Sequence, residues 1–226
     1  MTTILITGTN RGIGLELAKQ ALEKGWTVYG SARQEVADAD AHICDHPQFH
    51  NLFFDVTDHD AVRSAAASIS EPIDILINNA GIIGPQRQST LDMDFDGFAH
   101  TLAVNTLAPL AVAQAFLPHL KRSANPRIIT VSSQMGRMSY AKSDRIAYRA
   151  SKAAVNKVMQ GLATDLEPQG IAVALVHPGW VRTDMGGSGA DIAPVESAGG
   201  ILALAETLRL DGTGKFYNWD GTIGDW

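Results

Sequence analysis

The sequence predicts one α/β domain over residues 1–226, a doubly wound parallel sheet of about seven strands with helices on both faces. Three observations carry this reading. β-branched runs alternate with segments of helical apolar spacing along the whole chain. The first of those runs breaks into a glycine turn that opens a helix. No shift of composition, repeat, low-complexity tract or linker divides the chain, so all of it belongs to one core.

The totals narrow the function. A hydrophobic content of 45% suits a full-sized core. The formal charge of −6, with no basic run longer than Lys121-Arg122, argues against nucleic acid or an anionic membrane as partner, so a small molecule is expected. The single cysteine, Cys44, cannot form an internal disulfide and has no neighbouring ligand pattern, so no metal site is expected. The start of the chain enters its apolar run with no basic region before it, and no apolar stretch is expected to reach the ~18 residues of a membrane span. The expected location is cytoplasmic.

Taken in order, residues 3–7 form the first strand, and Gly8-Thr9-Asn10-Arg11-Gly12-Ile13-Gly14 leads into a helix carried by Leu15, Leu17, Ala18, Ala21 and Leu22. Gly8 permits a tight turn, Gly12 lets backbone approach a ligand, and Gly14 lets helix and strand sit close, which together point the helix N-terminus at a phosphate. A purely structural turn is the competing reading. Residues 26–31 form the second strand, ending at Ala32-Arg33. An acid at this strand end would bond the adenosine ribose, whereas an arginine accommodates a 2′-phosphate. The chain has Arg33 there, no acid until Glu35, and Arg11 in the glycine turn, a pattern that favours NADP(H) over NAD(H) unless both arginines are simply solvated. His42, His46 and His50 fall four apart, but Pro47 breaks the helix they would share and no carboxylate or thiol completes a metal set.

Residues 51–54 read as a third strand ending at Asp55-Val56, Asp58 as a helix N-cap, and residues 73–77 as a fourth strand followed by Asn78-Asn79-Ala80-Gly81. Small residues just past a strand end leave backbone close to the crevice where doubly wound sheets hold ligands. Residues 96–120 carry a long helical pattern with Asn105 inside it, a poor helix former that is expected to bond elsewhere. Residues 127–131 form the fifth strand and run into Ser132-Ser133. Residues 147–166 form the next helix, 171–176 the sixth strand, 195–208 the last helix and 215–217 a short final strand.

Tyr148 and Lys152 stand four apart and share a helix face. A tyrosine with an ordinary pKa of about 10 is a poor proton donor unless a nearby cation lowers that value, and Lys152 is placed to do so. Ser133, on the loop before the helix, is placed to hold a carbonyl oxygen while Tyr148 gives it a proton. Alone, the pair is equally a half-buried tyrosine over a solvated lysine.

Together these motifs resemble the short-chain dehydrogenase/reductase family, over essentially the whole chain. The turn at residues 7–14 looks like its cofactor loop, Asn78-Asn79-Ala80-Gly81 like its fourth-strand motif, and Tyr148-Arg149-Ala150-Ser151-Lys152 like its active-site motif. Ser133 with Gly136, Asn105, and Pro178-Gly179 with Thr183 match further positions. Within the family the resemblance is to small carbonyl reductases of the sniffer and C-factor type. It implies a Rossmann-type domain and a catalytic set of Asn105, Ser133, Tyr148 and Lys152. Tyr148 would be the general acid, Ser133 would orient the carbonyl, and Asn105 would hold a water leading from Lys152 to solvent. It also implies a cofactor site of Gly8, Asn10, Arg11, Gly12, Ile13, Gly14, Arg33, Asp55, Val56, Asn79, Ala80, Gly81, Tyr148, Lys152, Pro178, Gly179, Val181 and Thr183.

The activity so implied is NADP(H)-dependent reduction of a small ketone, aldehyde or quinone, with a cofactor-binding signalling protein of C-factor type as the alternative. Relatives commonly pair through the helices that correspond to residues 96–120 and 147–166, so the resemblance implies a homodimer or homotetramer; Val155, Val158, Met159 and Leu162 look exposed enough for that role, although a solvated or core-facing helix would look much the same. The interval from Ser133 to Tyr148 is longer than usual in the family, and the segment after Pro178 is short and glycine-rich. An open or flexibly lidded pocket is therefore expected.

Overall fold

The computed structural model describes residues 1–33 and 43–226; Glu35 and His42 lie outside the described residues. Seven parallel strands form one sheet: β1 (Thr3–Thr7), β2 (Thr27–Ala32), β3 (Phe49–Phe53), β4 (Ile75–Asn78), β7 (Arg127–Val131), β8 (Ala172–His177) and β9 (Phe216–Asn218). Their order is β3-β2-β1-β4-β7-β8-β9. Strand order reverses between β1 and β4, and at such a switch point the loops diverge and leave a crevice beyond the carboxyl ends of the strands. A small antiparallel hairpin, β5 (Gln88–Ser89) and β6 (Asp92–Met93), was not anticipated from the sequence.

Strand residues alternate between two apolar layers, as a period of two requires. Ile4, Ile6, Ile75, Ile77, Ile129 and Val176 face α1 (Gly12–Glu23) and α6 (Pro194–Thr207). Leu5, Leu76, Ile128, Val173 and Leu175 face α2 (His59–Ala67), α4 (Ala108–Leu120) and α5 (Ile146–Leu166). A parallel sheet covered on both sides buries both sets, so its strands read as near-continuous apolar runs.

The predicted elements exist, with ends shifted by one or two residues. The exception is the helix over residues 96–120, which is α3 (Phe95–Leu102), a π-helical turn over Ala103–Leu107, and α4. By length and composition this run, Phe95–Leu120, is apolar enough to cross a membrane, contrary to expectation. Its Val112, Ala113, Phe116 and Leu120 nevertheless fill the sheet-facing core. Val155 and Met159 of α5 also belong to the chain's own core, while Val158 and Leu162 are half-buried against it, so the exposed apolar face expected there is absent. His50 stacks on Tyr29 at 4.9 Å, His46 Nδ1 accepts from Gln48 N, and Cys44 is half-buried at the edge of the first layer.

Candidate active site

The glycine turn is braced from β4. Asn79 Nδ2 donates to the carbonyls of Thr7 (2.9 Å) and Gly8 (3.2 Å), and Thr7 Oγ1 accepts from the backbone N–H groups of Asn79 and Ala80, both at 3.0 Å. Gly8 and Gly12 have φ of 76° and 57°, the left-handed region that glycine enters without a Cβ penalty. A Cβ on Gly14 would lie 2.0 Å from Gly8 O and 2.5 Å from Asn79 Nδ2, so this position admits glycine only. Arg11 caps α1 with extended backbone and no side-chain bond, and the first helical turn holds no acid. Its N–H groups are left for an anion.

From this turn a cavity of about 760 Å³ runs to Tyr148 and Lys152. Its lining includes Gly8, Asn10, Arg11, Gly12, Ile13, Gly14, Arg33, Asp55, Val56, Asn79, Ala80, Gly81, Pro178 and Thr183. Its size suits a dinucleotide. Gly179, Val181, Asn105 and Ser133 are not among the lining residues. Gly179 (φ 84°) turns the chain against Ile192, and Val181 pairs with Ile192 in an isolated bridge. The wall also contains Ser31, His100, Arg182 and Asp184, which no local motif marked.

The two arginines expected at a 2′-phosphate are differently placed. Arg33 Nη1 stands 3.7 Å from Asp55 Oδ2, and Arg11 is already paired with Asp184 at 2.6 Å across the groove. Burial pushes the Asp55 carboxyl up, but hydrogen bonds from Thr57 and the charges of Arg33 and His100 outweigh it, leaving the group below its ordinary value.

At the other end, the Ser133 hydroxyl stands close enough to the buried Tyr148 phenol to act on it. Burial outweighs the lowering effects of Ser133 and of the Arg145 charge, and leaves the phenol's pKa above its ordinary value. Lys152, expected to lower it, lies with Nζ 5.7 Å from the centre of the Tyr148 ring and donates to Val131 O at 2.9 Å. Its own pKa is brought down to about 8 by burial. Ser133 is fixed by a 3-10 turn, Gln134–Gly136, whose Met135 N–H donates to its oxygen. A Cβ on Gly136 would meet the Lys152 backbone at 2.7 Å, so the turn sits directly on α5.

Asn105 lies in the π-helical turn. Its Oδ1 accepts from Ile82 N (2.9 Å), and its Nδ2 donates to Ile82 O (2.8 Å) and Ser151 Oγ (3.0 Å). With both amide hydrogens used, the side chain ties residue 82 to α5. The segment after Pro178 is not loose either. Arg182 N and Ile192 N donate to Ile192 O and Trp180 O, and Trp180 Nε1 donates to Gly186 O, which knits it into a compact loop.

The arrangement places a buried phenol, with a serine hydroxyl beside it, in a groove that also takes in the glycine turn and the N-terminus of α1. The family model for short chain dehydrogenases matches residues 2–191. The C-signal protein of Myxococcus xanthus is 41% identical over 168 residues, 73% of this chain and all of that protein. Among solved structures, the carbonyl reductase Sniffer of D. melanogaster superimposes with a TM-score of 0.94 at 33% identity over the full length of both chains. The NADPH-bound carbonyl reductase from chicken fatty liver does so with a TM-score of 0.91 at 32% identity, covering 100% of this chain and 99% of that one.

Proposed function

The chain belongs to the short chain dehydrogenase family, and from that premise we propose that it is an NADP(H)-dependent oxidoreductase that reduces a small ketone, aldehyde or quinone to the alcohol. One observation carries the reading: the cavity that starts at the glycine turn reaches Tyr148 and Lys152, with Ser133 beside the Tyr148 phenol. The first-turn N–H groups of α1 would hold the pyrophosphate, Arg33 the 2′-phosphate, and Lys152 the nicotinamide ribose. When bound, the cofactor supplies hydride to the carbonyl carbon. Ser133 would bond the carbonyl oxygen and Tyr148 give it the proton; burial keeps the phenol protonated until then, and the charge of Arg145 offsets part of the cost of the phenolate. The similarity to NADPH-bound carbonyl reductase supports the cofactor choice.

Tyr148→Phe removes the proton and little else. Turnover on a panel of carbonyl compounds should fall by on the order of 10²- to 10⁴-fold, with NADPH affinity falling far less. Equal turnover in the variant would sink the assignment. Arg33→Ala should weaken NADPH binding roughly tenfold while sparing NADH, since only the former carries the phosphate that the guanidinium meets. Fluorescence titration with both cofactors measures this difference, and equal losses would refute it.

A second reading is supported by the similarity to C-signal: a cofactor-binding signalling protein whose output is a partner contact. A biological effect that survives Tyr148→Phe would favour it, because such an output does not need a proton donor.

A further inference from the structure

Arg145 is the only non-glycine residue among those described with positive φ, at φ 51° and ψ 47°. An L-residue in the left-handed region costs about 1–2 kcal/mol. The position gains nothing obvious in return, because a helix N-cap is ordinarily extended and bonds the first turn, whereas Arg145 caps α5 with no side-chain bond. Its guanidinium makes no ion pair among the described residues. Backbone strain of this kind collects where a side chain must be aimed.

The side chain lines a cleft of about 450 Å³ between residues 83–89 and 143–145. This cleft adjoins the catalytic end of the cofactor cavity through one shared contact, since Tyr148 N donates to Oε1 of Gln88, a residue of the cleft wall. Gln86, Ser89 and Ser143 add polar groups, and Ile83 and Pro85 an apolar floor. The cleft also contains one carboxylate, Asp144. That charge is paired with Arg149, whose Nη2 stands 2.7 Å away, with Arg149 Nε donating to Asp144 O, and Arg145 adds a weaker electrostatic pull on it. Three charges thus leave one net positive, and it belongs to Arg145. Arg145 is close enough to act electrostatically on the Tyr148 phenol, so an anion held by it would sit near the proton donor.

We infer that this cleft is the substrate subsite and that Arg145 takes a carboxylate carried by the carbonyl substrate. The inference rests on the carbonyl reductase reading above. A guanidinium presents parallel donors that match a carboxylate in a fork, and the polar wall supplies further donors while the floor accommodates an apolar spacer. The substrate class is therefore an oxo-acid whose carbonyl and carboxylate are separated by an apolar body, rather than a neutral ketone.

The test compares 4-carboxybenzaldehyde with its neutral methyl ester, using NADPH and wild type, Arg145→Gln, Arg145→Gly and Arg145→Lys. Wild type should favour the acid in kcat/KM by about tenfold or more, mainly through KM. The acid-to-ester ratio should collapse in the glutamine and glycine variants and survive in part in the lysine variant. The ratio cancels whatever the change does to Tyr148, which both substrates share. Glycine accepts the left-handed backbone without strain, so that variant remains folded even if glutamine does not. An unchanged ratio in the glycine variant, or no preference in wild type, would overturn the inference. Calorimetric titration of the NADP-loaded protein with benzoate reads the subsite without turnover. If wild type reduces neither aldehyde, the carbonyl reductase reading fails. The anion subsite then stands if benzoate binding is lost in Arg145→Gly and falls if it is retained.

Discussion

The two halves of the groove are built differently. On the cofactor side, β1, α1, β2 and the residues after β4 lock together through small residues and backbone bonds, and the glycine turn has no room for an added Cβ at Gly14. On the substrate side, apart from the glycine contact of the turn at Gly136, the segments over 82–93 and 137–145 meet α5 through longer polar side chains such as Gln88 and Asp144. Among the described residues, the buried polar atoms without a partner include Arg137 Nε and Arg149 Nη1 on this side and His177 Nδ1 at the end of β8, whose imidazole feels the charge of Arg137; on the cofactor side the one such atom is Asn78 Oδ1, at the end of β4. Arg145 adds its strained backbone. A site for a ligand of fixed shape can be packed to completion, whereas a site that sets specificity retains strain and unmet hydrogen-bonding capacity.

The sharpest way to break this contrast is Gly14→Ala. Its methyl would fall 2.0 Å from a backbone oxygen that cannot rotate away, so the variant should lose about 3 kcal/mol and its cofactor binding. Thermal unfolding with and without NADPH measures both. A variant of near-wild stability would mean that the cofactor side is far more plastic than its packing shows.

The substrate side should instead respond to pH. Burial, helped by the charge of Arg137, holds the His177 imidazole down to about 4 from its ordinary 6.5. Between those values the unfolded chain binds a proton that the folded chain refuses, so stability falls as pH drops from 6.5 to 4, by at most about 3 kcal/mol. His177→Gln should flatten that part of a melting-temperature profile, and a profile of unchanged slope would remove His177 from the account.

The smallest effect is expected at an ion pair on the rim of the cofactor cavity. Arg11 and Asp184 are exposed, and Asp184→Ala should cost about 0.5 kcal/mol or less. NADPH affinity should hold or rise as Arg11 is released, and a clear fall would show that the pair clamps the cofactor.

The same contrast explains what could be read from the sequence. Gly8, Gly12, Gly14 and Asn79 were legible because their roles depend on local backbone geometry in a fixed order along the chain. The strands were legible because a sheet covered on both faces demands continuous apolar runs. The action of Arg145 on Tyr148, the bracing bonds of Asn105 and the place of His100 beside Asp55 were not. Each depends on where a side chain arrives after crossing the fold, and Lys152 was credited with a duty that geometry gives partly to its neighbours. The β5–β6 hairpin escaped because two-residue strands carry no periodicity.

The π-helical turn at Ala103–Leu107 works as a phase shift. A π turn accommodates one more residue than an α turn, and one residue is about 100° of helical rotation. Upstream of it α3 packs on α5, and downstream α4 packs on α2, so the extra residue lets one continuous rod serve two neighbours lying at different angles around it. Deleting a single residue there would leave the rod intact and rotate one half against the other. Asn105 would then swing away from Ile82 and Ser151, and the active site would come out of register with its own scaffold.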